Sequence, residues 1–338
     1  KQLVKSIFSF SHELFQYLNN PSIGRGCLVG IQHIGHSLWN DLTGIQRLEK
    51  NNLIRLIRSI LVLKGADPYG IVESKFNSSN NLGLVRYSYL QWQEHIANCY
   101  FNNLFWIRVT DNLVTDELAS KILNEKPKGK VNIDNQLTVT LGLRMENRTW
   151  VNQHEGWVEL IKHLSGRFNK LTIIIDGHNI SKHTGALKSA GETNEHSIVN
   201  QEKELVDYLK THKYSSEVNI ISCIESTLLD NLKVVNTSNF FIAPWGAGLA
   251  KYRWVCNLPG IVLTSNCNLK SRSDLRIYDS LEYRESSIES VFLSSKFIKD
   301  VGNKATLVKS ERAHKHNFMV DLQGLIESVD SLIEDLKI

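Results

Sequence analysis

Phe240-Phe241-Ile242-Ala243 runs directly into Pro244-Trp245-Gly246-Ala247-Gly248-Leu249-Ala250. The first four residues form an apolar run of strand length, and Lys251–Cys256 beyond the glycines reads as a helix. Gly246 and Gly248 let the backbone turn tightly and approach a ligand closely. Amides at the start of the following helix would offer fixed donors and partial positive charge to a phosphate. Strand, glycine turn and helix make one βα unit, the building block of a parallel sheet.

The same rhythm extends in both directions. In the second half, strands are expected at Leu137–Leu143, Leu171–Ile175, Val218–Ser222 and Ile261–Thr264, with helices at Asn152–Leu164, Val199–Thr211 and Ser226–Val234. The polar, glycine-containing stretch Ser181–His196 reads as a loop at the rim of a cleft. In the first half, Leu3 to Leu18 reads as a helix stopped by Asn19-Asn20-Pro21. A strand at Cys27–Ile31 and a helix at His36–Glu49 follow; Leu53–Leu63 is ambiguous. Phe105–Val109 reads as a strand and Val114–Asn124 as a helix. Lys126-Pro127-Lys128-Gly129-Lys130 breaks the pattern as a linker would. Met319, Leu322, Leu325, Ile326, Val329, Leu332, Ile333 and Leu336 form one helical stripe near the end.

The expected fold is therefore α/β with the GT-B architecture, two Rossmann-like domains facing across a cleft. Residues 1–130 would form the first domain, 131–316 the second, and 317–338 a helix packing back on the first domain.

Composition agrees with a folded enzyme-sized chain. Its 338 residues suggest two domains, and 42% apolar with 22% charged residues is ordinary for a globular protein. A net charge of +4, spread along the chain, argues against a dedicated nucleic-acid binder. It suits an anionic small substrate and a loose peripheral association with an acidic inner-membrane surface. Five cysteines without C-x-x-C spacing imply neither a disulfide framework nor a zinc site, favouring the cytoplasm; Cys27 and Cys223 read as buried thiols. No signal peptide is expected, and no apolar run in the sequence reaches membrane-spanning length. The start at Lys1 suits a piece of a longer, multi-domain synthase.

Two further segments carry chemistry. Leu141-Gly142-Leu143-Arg144-Met145-Glu146-Asn147-Arg148-Thr149-Trp150 ends a strand with two arginines, where parallel sheets bind ligands. The planar guanidinium forks of Arg144 and Arg148 suit a diphosphate, unless one of them pairs with Glu146 or Glu155. His33-Ile34-Gly35-His36-Ser37-Leu38-Trp39-Asn40-Asp41-Leu42 follows the first strand. A histidine there can deprotonate a sugar hydroxyl, and Asp41 can do the same or orient the histidine; either histidine can equally cap the helix. Asp176 and Glu225 are candidates for contacts to the donor sugar or ribose. No histidine or aspartate spacing marks a metal site, so none is expected. Lys270-Ser271-Arg272 reads as a solvated loop.

Together these three blocks resemble the glycosyltransferases of family 61 and related capsule and O-antigen enzymes. The likeness lies in Gly35–Leu48, in Leu143–Gly156, and in Trp245-Gly246-Ala247-Gly248-Leu249, which is similar to the family's HGAGL. Here Trp245 stands where the family has histidine, so a ring that stacks replaces an imidazole on phosphate. The resemblance implies metal-independent transfer, with inversion, from a nucleotide sugar to a glycan or other hydroxyl, in polysaccharide assembly. It implies that 1–130 is the acceptor domain and 131–316 the nucleotide-sugar-binding domain, where Arg144, Asn147, Arg148 and Trp245–Leu249 bind the donor, with no separate cofactor. It implies His36 as base, with Asp41 or His33 behind it. The rival readings are a sugar-nucleotide epimerase, using Asp176 and Glu225, and a non-catalytic nucleotide- or glycan-binding module of a larger polymerase.

Overall fold

The computed structural model describes residues 2–20, 23–63, 65–77, 83–87, 103–127, 135–180, 195–302 and 316–338. Within them lie two parallel sheets. The smaller holds β1 (Gly24–Val29), β2 (Ile57–Leu63), β3 (Gly83–Tyr87) and β4 (Leu104–Ile107), in the order β3-β2-β1-β4. The larger holds β5 (Gln136–Gly142), β6 (Lys170–Asp176), β7 (Glu217–Ser222), β8 (Phe240–Pro244), β9 (Gly260–Leu263) and β10 (Val291–Phe292). Its order is β10-β9-β8-β5-β6-β7, again parallel throughout. Both sheets are Rossmann-like: the chain builds outward from a first strand, β1 or β5, then returns to add β4 or β8 on its other side. Between β5 and β8 the strand order reverses, and a crevice opens at the carboxyl ends of strands so related. β11 (Ile298–Val301) and β12 (Asn317–Val320) pair antiparallel beside the larger sheet.

Each face of the larger sheet has its own core. Leu137, Val139 and Leu141 of β5 point to one side, where Trp150, Trp157 and Leu164 cover them. Ile174, Phe241 and Ala243 point to the other and join Val29, Leu38, Leu42, Ile60 and Val62 of the first half in one continuous core. The two halves are stitched further by buried Arg284, which pairs with Asp116 at 2.5 Å, and by Trp39 meeting Tyr283 edge-on at 5.2 Å.

The periodic reading places most elements to within a few residues, with instructive departures. The carboxyl-terminal helix, Leu322–Leu336, does not cross to the first half. Its stripe of Leu325, Val329, Leu332, Ile333 and Leu336 is buried in the core of the larger sheet, against the Gln153–Arg167 helix. Asp330 fastens it there through His163 at 2.7 Å and through Arg167. Met319 is not in that helix but in β12. The amino-terminal segment forms two short helices, Gln2–Ser9 and Ser11–Leu18, and leaves Ile7 and Leu18 exposed. Leu53–Leu63 resolves into a short turn of helix, then β2. The helix expected at Lys251–Cys256 is a six-residue π turn, Ala250–Val255. Strands β3, β10 and β11 were not legible, being short or at sheet edges. The Ser181–His196 loop falls outside the described residues up to 194, as does the Lys126–Lys130 linker from 128 onward. Cys27 and Cys223 are buried, and desolvation pushes both thiols up to about 12.

Candidate functional site

A cavity of about 260 Å³ lies at the carboxyl ends of β5, β6 and β8, faced by the turn after β1. Arg144, Glu146, His178, Ala247, Lys251 and His33 line it. Two strand-to-helix turns, one from each half, meet here: a Cβ on Gly35 would lie 3.9 Å from that of Ala250.

A cationic cluster adjoins the cavity; of its residues Arg144 lines the cavity, whereas Asn147, Arg148, Trp245 and Arg272 lie behind it. Arg148 adopts a left-handed backbone (φ 58°), uncommon for a residue with a side chain. The Asn147 side-chain oxygen accepts from Arg144 Nη2 at 3.0 Å and Arg148 Nε at 3.2 Å, spacing two guanidinium groups around one amide. Arg148 lies over the Trp245 ring at 5.3 Å and Arg272 at 4.3 Å. Partial burial, then Arg144 and Arg272, pull Arg148 down to about 10. Asp274 binds Arg272 through two hydrogen bonds, whereas Arg148 makes no ion pair among the described residues. The Trp245 ring is buried, its Nε1–H bonded to the Leu275 carbonyl at 3.1 Å, so guanidinium groups occupy the stacking position expected of this ring. Arg272, read as a loop residue, belongs to this cluster.

Beside it runs the glycine turn. Leu249, Ala250 and Lys251 donate their amides back to Gly246, Ala247 and Gly248. The amides of Gly246, Ala247 and Gly248 themselves carry no hydrogen bond to any described residue. Ala247 and Gly248 line the cavity. The donors therefore belong to the glycine turn, not to a helix end. A Cβ on Gly246 would meet Arg144 Nη1 at 2.6 Å, which explains a glycine there. Leu249 is buried in the shared core.

Across the cavity, His33 caps the first turn after β1, its Nδ1 accepting from the His36 amide at 3.4 Å. Although the residue is exposed overall, loss of solvent around the ring, then His36, Arg148 and Arg144, drop its pKa to about 4. The imidazole is neutral at pH 7 and, with Nδ1 accepting, carries its proton on Nε2. His36 does not line the cavity; it stacks on Trp39 at 5.6 Å and lies 3.5 Å from Asn40. Asp41 is buried, accepting from the amides of Gly30 and Ile31 and from Arg108, where it anchors the end of β1. Desolvation raises its pKa, but no side of it reaches the cavity. The histidine and aspartate proposed as bases are thus structural neighbours of the site, and His33 alone of the three lines it.

The floor is a buried polar network. Asp176, at the end of β6, accepts from Lys251 Nζ at 2.5 Å, Asn231 Nδ2 at 2.6 Å and the Tyr252 hydroxyl. Lys251 also reaches Asn179 Oδ1 at 3.1 Å. Both Asp176 oxygens are engaged with protein, so Asp176 shapes the floor rather than offering a ligand contact. Glu225 lies outside the cavity and pairs with Lys203 at 2.6 Å on the surface.

The remaining wall holds a carboxylate–imidazole–carboxylate chain. Fully buried Glu202 accepts from the His178 amide at 2.9 Å and from Nδ1 at 2.7 Å, while Nε2 faces Glu146 at 3.3 Å. Hydrogen bonds to Glu146 and Glu202 raise His178 to about 9, and His178 in turn lowers Glu146. The two carboxylates meet opposite ring nitrogens and do not converge on one point. Among the described residues, no three His, Cys, Asp or Glu side chains are placed to share a metal ion. A signal for Glu202 was present: it interrupts the buried stripe Ile198, Val199, Leu205, Val206 and Leu209. Lys251 directly follows Trp245–Ala250, but nothing in one sequence ties it to Asp176.

No family model and no curated protein sequence matches this chain. Among solved structures it is similar to the dodecameric iron-containing heptosyltransferase TibC, determined in complex with ADP-D-beta-D-heptose. Identity is 13% and the TM-score 0.37, over 81% of this chain and 63% of that one. The chain spans less than two thirds of the length of that structure. Among the described residues, no helix is long and apolar enough to cross a membrane.

Proposed function

We propose that this protein is a glycosyltransferase of GT-B architecture that takes its sugar from a nucleotide diphosphate donor. The observation that carries this reading is Arg144, a guanidinium in the cavity lining with the unbonded amides of Ala247 and Gly248, joined through the Asn147 side-chain oxygen to Arg148, which lies outside the lining and makes no ion pair among the described residues. Two fixed cationic forks and turn amides at a strand-order reversal suit an anion with several oxygens. The family 61 likeness of the same three sequence blocks supports the same assignment.

In this reading the donor's diphosphate sits against Arg144, Arg148 and the Ala247–Gly248 amides, with the His33 Nε2–H as a neutral donor opposite. The bond from the acceptor oxygen to the anomeric carbon forms as the bond to the diphosphate breaks. The guanidinium groups stabilise the charge that grows on the leaving group. Glu146 is the carboxylate at the cavity wall, and it takes the acceptor's proton, held in place by His178. One displacement by one base inverts the anomeric centre. His36 and Asp41 have no part in this step.

The second reading is a non-catalytic nucleotide-binding module, favoured by the placement of His36 and Asp41 away from the cavity. One experiment tests both. Thermal shifts with UDP, GDP, CMP, TDP and ADP are compared between wild type and Arg144→Ala/Arg148→Ala. A ligand at 100 times its Kd stabilises by about 2.7 kcal/mol. A nucleotide that stabilises wild type alone identifies the donor site; turnover of its sugars, abolished by Glu146→Gln, separates enzyme from module. No shift with any nucleotide sinks both readings.

A further inference from the structure

Large apolar side chains exposed to solvent are concentrated at one pole of this molecule. Fifteen are exposed among the described residues, and nine of them are Val4, Ile7, Phe8, Phe15, Leu18, Ile23, Leu53, Leu56 and Phe105. The topology gathers four of these at the amino ends of the strands, and the other five lie on the two helices that precede β1 in the chain. Ile23 precedes β1, Leu53 and Leu56 precede β2, and Phe105 is the second residue of β4, paired in register with Arg25 of β1. Parallel strands put these amino ends side by side, and the Ser11–Leu18 helix ends just before β1 begins. In the two amino-terminal helices, Val4, Ile7 and Phe8 share one face, as do Phe15 and Leu18. Phe8 is 79% exposed and Phe15 68%, values a packed helix pair does not show.

The same pole is cationic. Lys5, Arg25, Arg55 and Arg58 are exposed, and none makes an ion pair among the described residues. Glu13 is the one acidic residue within 2–20, 23–29, 51–58 and 103–107. Scattered surface leucines need no explanation, but an apolar patch rimmed by unpaired cations does. A second copy of this chain fits poorly, because a two-fold interface would set the four cations against themselves. An anionic bilayer satisfies both features: aromatic and aliphatic side chains enter the interface while Lys and Arg stay at the phosphates.

We propose that this pole, formed by the two amino-terminal helices and the amino ends of β1, β2 and β4, docks on an anionic membrane surface. It lies opposite the cavity, separated from it by the length of β1, about 20 Å at the usual rise per residue. The cavity then faces water while the protein is held on the lipid. The proposal does not depend on the chemistry assigned to the cavity.

The test is co-sedimentation with phosphatidylcholine vesicles, with and without phosphatidylglycerol, at low and high salt. Wild type is expected to pellet with the anionic vesicles only and to be released by salt. Phe8→Ser/Phe15→Ser and Arg25→Glu/Arg58→Glu should each weaken binding at least roughly tenfold, while melting cooperatively like wild type. Should either variant fail to fold, the salt and lipid dependence of wild type decides alone. Wild type that ignores anionic vesicles overturns the proposal, as do folded variants that bind like wild type. Concentration-dependent dimers abolished by Phe8→Ser/Phe15→Ser, without vesicle binding, would assign the surface to a second copy and overturn it as well.

Discussion

Glu202, fully buried, holds His178 twice, accepting from its backbone N–H at 2.9 Å and from its ring Nδ1 at 2.7 Å. The grip requires Gly177, since a Cβ there would lie 2.3 Å from Glu202. With Glu146 on the other ring nitrogen, the imidazolium is held above its ordinary range, at about 9.

This sets a pH dependence. A histidine whose folded pKa exceeds its unfolded value of about 6.5 stabilises the fold fully below 6.5, and the contribution is lost as pH rises through 9. Denaturant unfolding should show stability falling on the order of 2–3 kcal/mol between pH 6.5 and 9 from this group. His178→Gln should flatten that slope. An unchanged slope would show that His178 does not titrate there.

His33 moves the other way. Its folded pKa near 4 lies below the unfolded value, so its contribution is present above 6.5 and is lost as pH falls toward 4. Arg148 and Arg144 are part of the cause, so an anion that neutralises them should raise it. NMR titration of the His33 ring with and without a nucleoside diphosphate should show the upward move. Arg144→Ala/Arg148→Ala should raise it without ligand.

The glycine turn separates binding from folding. Gly246→Ala should displace the Arg144 guanidinium, the flexible end of a side chain, and weaken nucleotide binding with little change in Tm. Gly248→Ala meets nothing within 4 Å and should leave Tm unchanged. Equal nucleotide affinity in Gly246→Ala and wild type would remove Arg144 from the binding site.

Asp176 should prove structural. Asp176→Asn leaves the buried Lys251 ammonium without its carboxylate, a loss of about 3–5 kcal/mol. Asp176→Asn/Lys251→Met should recover part of it, measured by chemical denaturation. A single variant as stable as wild type would mean that the pair is open to solvent.

Strands were legible where buried apolar residues gathered before a turn, as Leu171, Ile173, Ile174 and Ile175 do before Asp176. Edge strands such as β10, two residues long, carry no period to read. Arg144 and the Ala247–Gly248 pair could be placed at the crevice because strand ends determine position, whereas Arg148, Trp245 and Leu249 lie outside the cavity lining. The partners of those residues could not. His178 meets Glu202 across 24 positions, and Lys251 meets Asp176 across 75; only folding supplies such distances. His36 and His33 sit three residues apart, one turned to Trp39 and one to the cavity, a choice made by rotamer and packing. The closing helix misled because its stripe states that it packs, not where.

Trp245 meets Arg148 of the proposed anion site on its ring at 5.3 Å and the neighbouring Arg272 at 4.3 Å, and its Nε1–H is held by the Leu275 carbonyl. An anion drawing Arg148 off the indole would change the electric field across that ring. The chain has seven tryptophans, but Trp245→Phe provides the blank. The site therefore carries its own fluorophore, and occupancy can be followed by emission wavelength in unlabelled protein.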